Sequence, residues 1–258
     1  MLHNILPRVN ILGVGINAIS LAKTVRQIAS WVDNGSRHYV NICTVHTVME
    51  CHRNPQLREI VNRSGMSTPD GMPLVWLCRY LGHKEVTRVY GPDLMLAFCK
   101  HSVARGYRHF FYGGAPGIAK ELAKKLEQRY PGLRVAGTHS PPFRPVGEME
   151  ESSVIEGIKS TNPDVVGVGL GTPKQDFWVA QHRHLLNAPI LVGVGAAFDF
   201  LTGSIPQAPG WMRHCGLEWL FRLMKEPRRL AYRYLIYNPL FLMLVFMQLS
   251  RLRRYSIS

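Results

Sequence analysis

Signatures of the common catalytic chemistries are missing from this 258-residue chain. It has no Asp-x-Asp pair and no His-x-x-x-His spacing, so a metal site has no support and no metal is expected. The G-x-S-x-G elbow of the common hydrolases and the strict Walker loop are absent as well. Its five cysteines (Cys43, Cys51, Cys78, Cys99, Cys215) show no C-x-x-C spacing, which fits a reducing compartment better than a disulfide or zinc framework. Residues 1–8 are too short for a signal peptide before the first strand-like run. Acidic residues are also few. Seventeen Asp and Glu stand against 31 Lys and Arg, a net charge of +14 that calls for an anionic partner: nucleic acid, an acidic membrane surface or a phosphorylated ligand.

The excess charge is concentrated near the end. From Arg213 to Ser258 there are nine Lys or Arg against Glu218 and Glu226, with Trp211 just ahead and Trp219, Phe221, Tyr232 and Tyr234 interleaved. Residues 234–250 then carry no charge before Arg251, Arg253 and Arg254. A spanning helix needs about 20 apolar residues. This run is shorter and contains Asn238, Pro239 and Gln248, so an interfacial or re-entrant segment is expected. The alternative is a helix packed on the body or between copies of the chain. A cationic tail on a nearly ordinary body divides the chain into a core, 1–207, and a basic, aromatic-rich helical appendage, 208–258.

The core alternates strand and helix patterns without internal repeats. Strands are expected at 9–14, 39–45, 107–112, 133–138, 165–170 and 190–194, with a Pro-rich loop at 140–145 and a helix at 146–159. Ser20 is placed to cap a helix reaching Asp33. The alternation predicts an α/β fold with a Rossmann-like, mainly parallel sheet flanked by helices. Gly13-Val14-Gly15-Ile16-Asn17-Ala18 is an incomplete dinucleotide fingerprint and reads as a turn. No ribose-binding carboxylate follows it, which counts against a nicotinamide-dependent enzyme, and no cofactor is expected.

In open α/β sheets ligands bind beyond the carboxyl ends of the strands. Several turns with chemistry-bearing residues fall there. After 165–170, Gly171 and Thr172 turn the chain and Pro173 suits the first position of a helix running to about residue 186. Lys174, Gln175 and Asp176 then occupy its first turn, where free N–H groups and the helix dipole favour an anion. Gly113 and Gly114 allow backbone to approach a phosphate closely. His46 lies at another strand end, Arg88 precedes a helix opening, and Asp70 and Asp199 are turn carboxylates. Together these residues suit a phosphorylated ligand, with Asp70 the candidate general base. Each also has a plain structural reading, as cap, turn or core residue.

Six segments in order carry a resemblance: Thr68-Pro69-Asp70-Gly71, Arg88-Val89-Tyr90-Gly91-Pro92-Asp93-Leu94, Phe111-Tyr112-Gly113-Gly114, Val168 through Trp178, Gly193 through Asp199, and Gly216 through Leu223. The chain resembles the WecG/TagA/CpsF family of glycosyltransferases over nearly its whole length. The resemblance implies inverting, metal-independent transfer from a UDP-sugar to a saccharide on a polyprenyl diphosphate, at the cytoplasmic face of a membrane. The donors it implies include N-acetylmannosamine, its uronic acid and glucose. By motif, Asp70 is the implied base; Thr44, Arg88 and Gln175 line the pocket, and Arg222 and Arg229 close over the donor diphosphate. Three positions depart from the family pattern: His46 replaces a common Asn, Asp176 a Glu, and Gln207 an Arg. A non-catalytic basic module that binds nucleotide or nucleic acid is the alternative from a different class; the transferase reading expects no nucleic acid.

Overall fold

The computed structural model describes residues 6–142 and 152–257. The 140–145 loop and the start of the helix expected at 146–159 fall partly outside these residues.

Six parallel strands form the central sheet in the order β4-β3-β8-β7-β5-β6. They are β3 (His38–Cys43), β4 (Met66–Pro69), β5 (Arg108–Gly113), β6 (Arg134–His139), β7 (Val165–Gly169) and β8 (Ile190–Gly193). Val165, Val166 and Val168 on β7 and Ile190 and Leu191 on β8 are buried, as expected of strands covered on both faces. Helices α1 (Leu21–Asp33), α2 (Val45–Arg53), α3 (Pro55–Arg63), α4 (Met72–Tyr80), α5 (Gly91–Arg105), α6 (Ile118–Arg129), α7 (Ser152–Ser160), α8 (Lys174–His182) and α9 (Ala197–Thr202) connect or follow the strands. Ser20 caps α1, accepting from the Lys23 N–H. The expected α/β architecture is present.

Two local expectations are corrected. Residues 9–14 are not one strand of the main sheet. β1 (Arg8–Ile11) and β2 (Val14–Asn17) form an antiparallel hairpin of their own, reversing at Leu12 and Gly13, both with positive φ. Of the segment 13–18 read as a turn, only Gly13 lies in the reversal; Gly15 is within β2, paired with Asn10. The hairpin is anchored beside β4, where Asn17 Oδ1 accepts from the Ser67 N–H at 2.7 Å. The helix after Pro173 also stops at His182, not near residue 186. The chain turns there and Arg183 donates to the carbonyls of His38, Pro189, Leu186 and Ala188, tying the turn to the amino end of the sheet.

The last quarter is helical: α10 (Gly210–His214), α11 (Glu218–Lys225), α12 (Pro227–Leu235) and α13 (Tyr237–Leu249). The turn from α10 to α11 passes through Gly216, where a Cβ would lie 3.0 Å from the Trp76 ring and 3.2 Å from Met72, both on α4. α13 buries Tyr237, Phe241, Leu244 and Val245 in the cluster that contains Val48, Met49, Leu74 and Val75. Gln248 then joins α13 to the hairpin, accepting from the Leu12 N–H at 2.9 Å and donating to the Asn10 carbonyl at 2.8 Å. Tyr237 donates to Glu50 and accepts from Arg53 on α2.

The opposite face of α13 is bare. Leu242 and Phe246 are 65% and 67% exposed, and Leu252, beside Arg251, Arg253 and Arg254, is 72% exposed. By length and composition, Pro227–Leu249 could cross a membrane. Its packed inner face instead leaves one apolar side lying along the protein surface.

Candidate functional site

β4 ends at Pro69, and the Asp70 N–H donates to the Cys43 carbonyl at 2.7 Å, holding Asp70 at the lip of the sheet. Gly71, at φ 103°, then turns the chain into α4, a conformation that strongly favours glycine. The Val89 N–H donates to the Pro69 carbonyl at 2.8 Å and so brings the preceding Arg88 alongside. Arg88 Nε donates to Asp70 Oδ1 at 3.0 Å, and its Nη2 donates to Glu218 Oε2 at 2.6 Å. The guanidinium lies 4.1 Å from the centre of the Tyr90 ring, a cation–π distance.

Burial raises the Asp70 pKa, Arg88 lowers it and Glu218 raises it again, leaving it at about 6. Burial acts to lower the pKa of Arg88, but its two carboxylate partners outweigh that effect and raise it, so Arg88 stays charged. The carboxylate is thus ionised just below neutrality, in the range useful to a general base.

At the end of β3, Thr44 caps α2. It accepts from the Thr47 N–H at 3.3 Å while its own N–H donates to Thr47 Oγ1 at 3.2 Å. The cap presents His46 in the first turn. Burial, reinforced by Arg233, pushes the His46 pKa down to about 3, against a raising contribution from the Thr172 backbone. The ring is therefore neutral near pH 7, and its 3.8 Å approach to Glu50 is not an ion pair at that pH.

Gln175 braces the neighbouring turns. Its Oε1 accepts from the Gly171 N–H at 3.1 Å and from the Gly195 N–H at 2.8 Å. The side chain passes over Gly193, where a Cβ would approach it to 3.1 Å. Pro173 caps α8 rather than opening it, and Lys174 is the first helical residue, half-buried. The Asp176 carboxyl is fully buried, and among the described residues neither of its oxygens has a hydrogen bond that meets distance and angle criteria. Burial raises its pKa to about 7, with the nearby Thr172 hydroxyl acting the other way.

Gly113 and Gly114 serve packing at the β5 end. A Cβ on Gly113 would meet the Gly169 carbonyl oxygen at 2.6 Å, and the Gly114 N–H donates to that same oxygen at 3.0 Å. Their backbone freedom is spent on β5–β7 closure, whatever else these residues contact.

The tail brings cations to this edge. The Arg222 guanidinium lies 5.5 Å from the Phe200 ring centre. Arg222 and Arg229 both act on Asp199, whose pKa burial raises and Arg229 lowers. Arg233 is within electrostatic reach of Arg222, Arg229 and Asp70, and burial lowers its pKa. Asp70, Arg88, His46 and Asp199 are therefore linked to α11 and α12 through charge. The sequence reading gives no site role to Arg233, nor to Glu218 and Tyr90, which it names only within the segments that carry the resemblance. The spacing Arg229-x-x-x-Arg233, one face of a helix, was the available signal for Arg233.

A cavity of about 490 Å³ opens at the amino end of β3, lined by Arg37, His38, Arg63 and Arg183. It lies at the edge opposite the Asp70 constellation, and the Arg183 guanidinium is taken up by backbone carbonyls. Among the described residues no cluster of three or more His, Cys, Asp or Glu could hold a metal ion.

The model of the glycosyl transferase WecG/TagA/CpsF family matches residues 9–255. A Bacillus spizizenii protein named N-acetylglucosaminyldiphosphoundecaprenol N-acetyl-beta-D-mannosaminyltransferase is 26% identical over 200 residues, covering 78% of this chain and 76% of its own length. A Staphylococcus aureus protein of the same name is 25% identical over 226 residues, 87% of each chain. With the family model spanning the hairpin, the sheet, the Asp70–Arg88 pair and the tail helices, this chain belongs to the WecG/TagA/CpsF family of glycosyl transferases and is an enzyme of that class.

Proposed function

We propose that this enzyme transfers a sugar from a UDP-sugar to a saccharide carried on a polyprenyl diphosphate, with inversion and without a metal, during synthesis of a cell-envelope polymer. The observation that carries the reading is the Asp70–Arg88 pair at the carboxyl edge of the sheet, with tail arginines within electrostatic reach of it. The names of the relatives support N-acetylmannosamine as the donor sugar and lipid-linked N-acetylglucosamine as the acceptor. The family assignment leaves the non-catalytic nucleic-acid module without support.

In this reading Asp70 takes the proton of the acceptor hydroxyl as that oxygen bonds to the anomeric carbon. The bond from the anomeric carbon to the diphosphate breaks on the opposite face, and its electron pair leaves with UDP. Developing charge on the diphosphate needs fixed positive partners in a site shielded from water. Arg222 and Arg229, with Lys174 and the α8 N-terminus, supply them, and Arg233 joins that group. Thr44, His46 and Gln175 shape the pocket: Thr44 by placing α2, neutral His46 toward the donor sugar, and Gln175 by fixing the Gly171 and Gly195 turns. Gly113, Gly114, Gly171, Pro173 and Asp199 border the donor.

The division into a core, 1–207, and an appendage, 208–258, belongs to the same proposal. The bare face of α13, ending in Arg251, Arg253 and Arg254, suits peripheral attachment to the anionic cytoplasmic leaflet, where the lipid-linked acceptor would be met. UDP release, measured with a panel of UDP-sugars with and without a short-chain polyprenyl-diphosphate N-acetylglucosamine, tests the whole reading. Acceptor-dependent release from one donor that persists in EDTA is the expected result. Release abolished by EDTA would remove metal independence, and release without acceptor would remove the transfer reaction.

A further inference from the structure

The tail delivers a carboxylate into the site along with its arginines. Glu218, in the first turn of α11, lies 2.6 Å from Arg88, and both side chains are largely buried, at 15% and 18% exposure. Its position is fixed from two sides. Gly216 packs on Trp76 and Met72 of α4, and the Leu217 N–H donates to the Met212 carbonyl at 2.8 Å. An acid here runs against the general demand of a diphosphate site for positive charge. Because Arg88 is paired with two carboxylates, its charge is already answered, and it is poorly placed to neutralise a departing diphosphate.

The geometry on Asp70 suggests what this arrangement does. A guanidinium facing one carboxylate commonly binds it through two parallel N–H bonds, occupying both oxygens. Here Arg88 gives Asp70 only Nε, to Oδ1, because Nη2 is held by Glu218. Among the described residues no other side-chain hydrogen bond to the Asp70 carboxylate is present.

We propose that Glu218 is a positioning residue for the transfer reaction: from the tail it draws Arg88 into a single contact with Asp70, leaving Asp70 Oδ2 free for the acceptor hydroxyl. The inference rests on the reading of Asp70 as the base. It makes the base depend on a docked tail, since with α11 displaced Arg88 is free to close on both Asp70 oxygens. The other charged or titratable groups acting on Asp70 or its partners are Asp93 on α5, Arg233 on α12, Cys43 on β3 and Tyr90. Of the carboxylates in this set, Glu218 is the one brought by the tail. Glu218 raises the Asp70 pKa, and Arg88 lowers it.

The test is the pH profile of kcat/KM for full-length protein on lipid vesicles, comparing wild type, Glu218→Gln, Glu218→Asp and Asp70→Asn. Glu218→Gln is expected to lower kcat/KM about tenfold and to move the acidic limb down by about one pH unit, because Asp70 is left alone with Arg88. Glu218→Asp, which keeps the charge, is expected to retain the wild-type limb. A Glu218→Gln limb at the wild-type position, or one displaced equally in Glu218→Asp, overturns the inference. Vesicle sedimentation and the melting temperature are measured on the same samples. If Glu218→Gln fails to fold, the position of the limb in Glu218→Asp decides alone, and a displaced limb overturns the inference. An active Asp70→Asn removes the base and the inference together. An inactive Asp70→Asn beside an unmoved Glu218→Gln limb removes the inference and leaves the base standing.

Discussion

Gln175 Oε1 and the Gly195 N–H are joined by a 2.8 Å hydrogen bond, and the same oxygen also accepts from Gly171. One side chain on α8 therefore sets the spacing of the turns that leave β7 and β8. Gln175→Ala would strip a partner from two backbone donors and leave a void over Gly193. We expect a stability loss of about 2 kcal/mol, the scale of unsatisfied buried polar groups. Urea unfolding measures it. A loss below about 0.5 kcal/mol would show that water replaces the amide and that the brace is not structural.

Arg229→Ala should separate catalysis from folding. Its guanidinium makes an exposed pair with Glu226 at 2.6 Å, and such pairs contribute roughly 0–1 kcal/mol. If Arg229 meets the departing diphosphate, turnover should fall about 100-fold, as for loss of one fixed donor to developing charge. Steady-state kinetics beside a thermal melt check this. A large fall in melting temperature with turnover largely kept would assign Arg229 to packing.

Asp176 predicts a pH dependence of stability. Its folded-state pKa, raised to about 7 chiefly by burial, lies above the unfolded value near ~3.9. The native state therefore holds more protons between these values, and stability contributed by this group falls as pH rises from about 4 to about 7. Asp176→Asn should flatten that slope and stabilise the protein at pH 8 by an amount on the order of 2 kcal/mol. Urea midpoints at pH 5 and pH 8 decide it, and an Asn variant weaker at pH 8 would mean that the carboxylate has a stabilising partner.

The two faces of α13 should respond oppositely. Phe241→Ala opens a cavity in the cluster with Val48 and Met49 and should cost about 3–5 kcal/mol. Leu242→Glu and Phe246→Glu, on the bare side, should change stability by less than about 1 kcal/mol while reducing sedimentation with anionic vesicles. Unchanged sedimentation would place the membrane contact elsewhere.

Much of the fold was legible because buried parallel strands advertise themselves. Val165, Val166 and Val168 form a short apolar run, and the glycines and prolines around each strand mark its ends. The hairpin was not legible. Val9 through Val14 has the same apolar character as a central strand, and its composition does not show that Leu12 adopts a positive φ; in the structure the Leu12 N–H is met by Gln248, from the far end of the chain. In the site, Asp70 and Arg88 could be nominated from their motifs because each lies next to a strand or helix boundary. Glu218 could not, because its importance comes from a 130-residue separation closed by tertiary structure. Nor could Gln175 be recognised as a brace, since its partners are backbone groups that carry no sequence signal. The tail was ambiguous for a physical reason: α13 is apolar all round, and only the docked structure distinguishes its packed side from its bare one.

The most direct measurement compares Asp70→Asn with wild type for UDP-sugar binding and for acceptor-dependent UDP release. Loss of the base should reduce release by about 10²–10⁴-fold, while donor affinity stays within a few-fold because Asp70 is assigned to the acceptor proton. In wild type the same assay should lose activity as pH falls through about 6, where the Asp70 carboxylate takes up its proton. An Asp70→Asn enzyme that releases UDP at near wild-type rates would contradict the account, and the base would have to be sought elsewhere along the sheet edge.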